Sequence, residues 1–132
     1  MENLCRKEGL EISSLEKGNS ALLHSKAGSI LARTKYGVED PDILEAIRYH
    51  TTGKPDMTML EKIVFIADYI EPGRDQAPHL DEIRKAAFED LDRALCMILK
   101  DTLSYLREND REIDSLTQKT YDYYEDKIRT LN

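Results

Sequence analysis

The sequence predicts an all-α fold, with one domain spanning residues 1–132. Apolar residues recur at helical spacing along most of the chain, and helix start and stop signals divide it into segments of helical length. No segment alternates apolar and polar residues as a β-strand does. At 132 residues the chain is long enough to enclose one modest hydrophobic core.

Met1 to about Glu8 is interpreted as the last turns of a helix that Gly9 stops, followed by a short connector. Six later segments carry both the periodicity and the boundary signals of helices. In chain order they run from Asn19 or Ser20 to Tyr36, from Pro41 to about His50, from Met59 to the stop at Pro72-Gly73, from about Asp81 to Phe88, from Leu91 to about Arg107, and from Leu116 to Ile128. Gly37 is placed to end the first of them in the left-handed conformation.

The helix starts are marked by residues that accept hydrogen bonds from free backbone N–H groups. Asp40 precedes Pro41, which suits the first helical position. Thr58-Met59-Leu60-Glu61 has the form of a capping box. Asp90 and Ser115 are the expected caps of the last two helices.

One segment, Ile63 to Ala67, is apolar nearly all round its predicted helix. A helix that is apolar on every face is typically buried, so this one is predicted to be the central helix of the core. It is also the longest uninterrupted apolar run, and it is far too short to span a bilayer.

Charge and cysteine content exclude several functional classes. The net charge of −7 argues against non-specific nucleic-acid binding and against anchoring to an anionic membrane. Cys5 and Cys96 are isolated and are interpreted as reduced thiols. The N-terminus has no apolar signal core, so the sequence favours a cytoplasmic protein.

Three potential metal ligands, His24, His50 and Asp68, fall on apolar stripes of separate predicted helices. A buried carboxylate is costly unless a cation meets it, and two imidazoles with one carboxylate suit iron, manganese, zinc or cobalt. Such an ion would lower the pKa of a bound water and supply hydroxide near neutral pH. The alternatives are core histidines with one hydrogen bond each, and a salt bridge from Asp68 to Arg48 or Arg74.

The turn after His50 contains groups that can hold phosphate oxygens. Thr51 and Thr52 offer hydroxyls, Gly53 offers an open backbone amide, and Lys54 offers a cation. Arg74 could reach the same place from a later loop. The alternative is that residues 51–55 are simply a helix stop.

Several segments resemble the bacterial HD-domain phosphohydrolases that split diadenosine tetraphosphate symmetrically. The most specific are Tyr49-His50-Thr51-Thr52-Gly53 and Ala67-Asp68-Tyr69-Ile70-Glu71-Pro72-Gly73-Arg74. Leu60-Glu61-Lys62, residues 19–28 and residues 80–87 also follow the family pattern.

The resemblance implies an all-α HD-domain bundle and metal-dependent hydrolysis of diadenosine tetraphosphate to two ADP, with iron or a similar ion. It implies that His24, His50 and Asp68 belong to the metal centre, with Asp68 also catalytic. It further implies that Thr51, Thr52, Gly53, Lys54 and Arg74 lie near the phosphates of a dinucleoside polyphosphate.

The chain has no adjacent His-Asp pair, and Met1 aligns just after the pair that gives the family its name. We therefore expect an N-terminally truncated HD domain, with apolar positions exposed on the helices that carry His24 and Asp68. A homo-oligomer would cover that face, and a start codon placed too late would also explain the gap. The alternative function is an impaired HD domain acting as an oligomeric or nucleotide-binding module; a third is another HD-type reaction on nucleotides.

Overall fold

The computed structural model describes residues 20–131, which form six helices and no strand. The helices are α1 (Ser20–Thr34), α2 (Pro41–Arg48), α3 (Met59–Tyr69), α4 (Leu80–Ala87), α5 (Leu91–Glu108) and α6 (Ser115–Leu131). These bounds confirm the all-α prediction and lie within a few residues of the expected ones. The helical turn and connector predicted before Asn19 lie outside the described residues. None of the described helices is both long and apolar enough to cross a bilayer.

The helix caps largely follow the sequence. The Asp40 carboxylate accepts from the Asp42 N–H at 2.9 Å, and Pro41 is the first helical residue. Thr58 and Glu61 form both hydrogen bonds of the capping box, at 3.2 and 2.9 Å. The expectation for Ser115 was wrong, because the residue before it, Asp114, accepts from the Leu116 N–H at 2.8 Å.

The central helix is α5, which packs against α3, α4 and α6. Its inward face, which includes Leu95, Ile98 and Leu99, is almost completely buried. The prediction that α3 would be the central buried helix was therefore wrong. Only one side of α3, with Phe65 and Ile66, faces the core.

The other side of α3 is apolar and exposed to solvent. Ile63 retains 47% and Leu60 retains 38% of their accessible surface, and on α1 Leu31 retains 40%. This matches the expectation that apolar positions would be exposed on the helices that carry His24 and Asp68. Residues 63–67 are thus apolar on both sides of α3, although only one side packs in the core and the other is not covered by residues 20–131.

A polar cluster joins α3, α5 and α6 at the edge of the core. Asp92 accepts from Lys62 at 2.7 Å and from Lys127 at 2.9 Å, so one carboxylate links three helices. Nearby, the Met57 N–H donates to the Tyr124 hydroxyl at 2.7 Å. Burial raises the pKa of Tyr124 to about 12, which keeps that hydroxyl neutral at ordinary pH.

Candidate metal and phosphate site

The turn between α2 and α3 carries most of the predicted site residues. Helix α2 ends at Arg48, two residues earlier than expected, so His50 lies in the turn and not on the helix. The Gly53 N–H donates to the Tyr49 carbonyl at 2.8 Å, which closes the turn. The expectation of an open amide at Gly53 was therefore wrong.

Gly53 is required by the backbone and by the packing of this turn. Its φ of +71° is unfavourable for residues with a side chain, and an added Cβ would lie 2.8 Å from Thr120 Cγ2 on α6. We expect Gly53→Ala to lower the free energy of unfolding by about 2 kcal/mol or more, measured by urea denaturation. In a Thr120→Ser background, which removes Cγ2 and keeps the hydroxyl, the loss should be smaller. An equal loss in both backgrounds would contradict the packing contribution.

The His50 ring is oriented by the end of α2. Its Nδ1 lies 2.6 Å from the Ile47 carbonyl oxygen. A carbonyl can only accept, so Nδ1 carries the proton and donates, and in the neutral ring Nε2 keeps its lone pair. This is the arrangement by which a backbone carbonyl prepares a histidine to bind a metal ion.

The other two candidate ligands, His24 and Asp68, are exposed. Within residues 20–131, no three His, Cys, Asp or Glu side chains lie close enough together to hold a metal ion. The expectation that both side chains point into the interior was therefore wrong. Because Asp68 lies at the surface, hydration removes the cost of its charge. Among those residues, no ion pair joins Asp68 to Arg48 or Arg74.

Lys54 binds carboxylates of the protein itself. Its ammonium group lies 2.8 Å from Glu61 Oε2 on α3 and 3.2 Å from Glu45 Oε2 on α2, and 5.0 Å from the centre of the Tyr49 ring. Glu61 is 2% exposed, so this is a buried ion pair. Lys54 thus holds the turn between the two helices it joins, and its charge is largely balanced there.

Thr51 and Thr52 lie in a cleft of about 200 Å³. The Thr51 hydroxyl is hydrogen-bonded to that of the buried Ser25 on α1, which joins the turn to that helix. Lys26 and Arg48 also line the cleft. The sequence predicted no role for Lys26 and named Arg48 only as a possible salt-bridge partner of Asp68, although each lies within two residues of a predicted histidine ligand.

Arg74 lies in the loop after α3 and does not line this cleft. Its guanidinium lies 5.0 Å from the centre of the Tyr69 ring. The loop is held by Arg84 of α4, which donates to the carbonyls of Ile70, Glu71 and Arg74 at 2.9–3.1 Å. Arg84 is therefore a residue that shapes this loop, and nothing in its spacing indicated that role.

Stability is expected to fall in acid because of two carboxylates, the buried Glu61 and the half-buried Asp92. Burial by itself raises the pKa of Glu61, but hydrogen bonds from Lys54 and Thr58 and the charge of Lys54 outweigh it, so the pKa lies below 4.5. The pKa of Asp92 likewise lies below 3.8, since Lys62 and Lys127 outweigh its burial. The stabilisation from each carboxylate is complete above its ordinary pKa. It is lost as the pH falls through the lowered pKa of that carboxylate in the folded protein. The free energy of unfolding, measured by urea denaturation, should be smaller at pH 3 than at pH 6. Glu61→Gln should make this difference smaller.

Comparison with known proteins agrees with this architecture. Residues 5–73 match the HD domain family, and the chain belongs to that family. The crystal structure of a protein described as a predicted HD superfamily hydrolase involved in NAD metabolism, from Clostridium acetobutylicum, superposes with a TM-score of 0.90 at 43% identity. That match covers 96% of this chain and 66% of the other.

Three curated relatives bear the name bis(5'-nucleosyl)-tetraphosphatase, symmetrical. The Bacillus subtilis protein is 41% identical over 93% of this chain and 65% of its own length. The Halalkalibacterium halodurans protein is 45% identical over 76% of this chain and 53% of its own length. The Staphylococcus aureus protein is 40% identical over 80% of this chain and 55% of its own length. The chain thus spans between half and two thirds of these relatives, and the family resemblance seen in its motifs is confirmed.

Proposed function

We propose that the protein is a metal-dependent phosphohydrolase that splits diadenosine tetraphosphate symmetrically into two ADP. Support comes from the names of the three relatives and from the conformation of the turn after α2. The observation that carries the proposal is the orientation of His50. Its Nδ1–H donates to the Ile47 carbonyl oxygen, which leaves Nε2 as the nitrogen that can bind a metal ion. The relatives do not favour the alternative of a non-catalytic module.

The proposed metal ligands are His24, His50 and Asp68, with Asp68 also catalytic. The donor types suit a divalent transition metal, and we favour iron, with manganese, cobalt or zinc as alternatives. These three side chains do not form a ligand group among the described residues. Such an ion, when bound, supplies a water of lowered pKa.

The proposed phosphate contacts centre on Thr51 and Thr52, whose hydroxyls line the cleft beside His50. Gly53 and Lys54 support them by holding the turn, through the Gly53–Tyr49 hydrogen bond and the Glu45 and Glu61 ion pairs. Arg74 would meet a more distant part of the substrate, since it lies outside the cleft.

The products of hydrolysis test this function. The purified chain is incubated with diadenosine tetraphosphate and added ferrous, manganous, cobaltous or zinc ion, and the nucleotides are separated by chromatography. Symmetrical cleavage yields only ADP, whereas asymmetrical cleavage yields ATP and AMP. Formation of ATP and AMP, or no hydrolysis with any of the four metals, would contradict the proposal.

We further propose a homo-oligomer in the cytoplasm. The exposed apolar side chains of α1 and α3, including Leu31, Leu60 and Ile63, are the surface a second copy would cover. Cys96 is a free, half-buried thiol, which suits a reducing compartment. Burial raises its pKa to about 11, so it is mostly protonated and unreactive at neutral pH. Sedimentation equilibrium showing only monomer at micromolar concentration would contradict the oligomer.

A further inference from the structure

Helices α1 and α2 pack closely against each other through small residues of α1. A Cβ added at Gly28 would lie 3.4 Å from Ile47 Cγ2, which is van der Waals contact. Next to Gly28, the Ser29 hydroxyl donates to the Leu44 carbonyl oxygen at 3.0 Å. Because atoms in such close contact leave no room to slide, these residues fix how the two helices are aligned.

A second serine, Ser25, lies one helical turn before Ser29 and connects α1 to a different part of the chain. It is 2% exposed, and its hydroxyl is hydrogen-bonded to the Thr51 hydroxyl. Thr51 lies beyond the end of α2 at Arg48, so its position depends on contacts of this kind. Since a buried hydroxyl that loses its partner is destabilising, the hydrogen bond holds the turn after α2 against α1.

The two hydroxyls belong to the residues that directly follow the proposed histidine ligands. Ser25 follows His24, and Thr51 follows His50. Consecutive Cα atoms are about 3.8 Å apart, so a change in the separation of Ser25 and Thr51 also moves the two histidine backbones. The Ile47 carbonyl orients the His50 ring relative to α2, but the position of that ring relative to His24 depends on how α1 meets the turn.

We propose that Ser25 is a positioning residue, whose hydrogen bond with Thr51 sets the distance between the backbones of His24 and His50. Groups that bind one metal ion must be held within about 0.5 Å of their working positions, and a buried hydrogen bond between the adjacent residues provides such a constraint. The effect on metal binding rests on the proposed function, in which both histidines are ligands. The effect on the turn does not.

Amide hydrogen exchange tests the hold on the turn without metal and without nucleotide. The reporter is the buried N–H of Gly53, which donates to the Tyr49 carbonyl within the turn. Ser25→Ala and Thr51→Val each remove one hydroxyl of the pair and should speed exchange of this N–H by about fivefold or more. Thr51→Ser keeps the hydroxyl and should leave the exchange rate close to that of the unaltered chain.

Metal affinity tests the effect on the ligands. The whole chain is titrated calorimetrically with manganous ion in the absence of nucleotide, so that the proposed phosphate contact of Thr51 plays no part. Loss of an outer contact of a metal ligand typically lowers affinity about 10–100-fold, so Ser25→Ala and Thr51→Val should each weaken manganese binding by about tenfold. The double variant should bind no more weakly than either single variant, because both substitutions break the same hydrogen bond.

Ser29→Ala is the matched control. It removes a serine hydrogen bond between the same two helices, but the acceptor is the Leu44 carbonyl within α2 and not a residue of the turn. Circular dichroism establishes that each variant is folded, and urea denaturation gives the change in its midpoint. Ser29→Ala should lower the urea midpoint while leaving both Gly53 exchange and manganese affinity nearly unchanged.

Equal effects of Ser25→Ala and Ser29→Ala on Gly53 exchange would overturn the positioning role, because both would then act through overall stability alone. Manganese affinity that neither Ser25→Ala nor Thr51→Val alters would also overturn it. An unaltered chain that binds no manganous ion would contradict the proposed metal centre, whereas the exchange comparison would still decide whether Ser25 holds the turn.

Discussion

Lys54→Met should lower the free energy of unfolding by about 3 kcal/mol. The substitution keeps the length of the aliphatic side chain but leaves the Glu61 carboxylate, which is 2% exposed, without its cation. Removal of one partner from a buried ion pair typically costs about 3–5 kcal/mol, and the lower end applies because Lys54 keeps 27% of its side-chain surface in solvent. Urea denaturation at pH 7 measures the loss.

A second substitution separates charge from packing in this prediction. Glu61→Gln removes the charge and keeps a side-chain oxygen for the Thr58 capping box. The double variant Lys54→Met with Glu61→Gln should therefore recover more than half of the stability that Lys54→Met loses. Lys85→Met, at an exposed lysine on α4, is the control and should change stability by less than about 0.5 kcal/mol. If the double variant were as unstable as the single one, an unpaired charge would not be the cause.

His50→Asn should reduce hydrolysis of diadenosine tetraphosphate by more than about 100-fold, since loss of even an outer partner of a metal ligand typically costs 10–100-fold. The asparagine amide can replace Nδ1–H as the donor to the Ile47 carbonyl, but it has no counterpart of the Nε2 lone pair. The fold of the turn should therefore persist while metal binding is lost. Steady-state kinetics with added ferrous ion, together with the metal content of the purified protein, measures both effects.

The matched control is His79→Asn. His79 is 60% exposed, pairs with Asp101 at 2.9 Å and lies in the loop before α4. The His79→Asn substitution should leave both the activity and the metal content unchanged. An active His50→Asn variant with bound metal would show that His50 is not a ligand.

The caps of this protein were predictable because the interactions that form them are local. Asp40 and Thr58 bond to N–H groups two or three residues ahead, so the short sequence contains both partners. The same reasoning failed at Ser115 by a single residue, since Asp114 is an equally good acceptor one position earlier.

The burial of the candidate ligands could not be predicted in this way. Periodicity places Asp68 and Val64 on one stripe of a helix, but it does not say which stripe meets the core. In α3 the core takes Phe65 and Ile66, and the stripe with Asp68 is exposed. The ion pairs of Lys54 with Glu45 and Glu61 could not be predicted either, because the two carboxylates lie on different helices.

By itself the sequence determined the helices, the family and the turn that carries His50, because these depend on residues close together in the chain. The tertiary structure alone decided that α5 is the central helix, that Lys54 neutralises a buried carboxylate, and that Lys26 and Arg48 border the cleft with Thr51. These features depend on which helix faces meet, and the free energy that decides this comes from burial summed over the whole core.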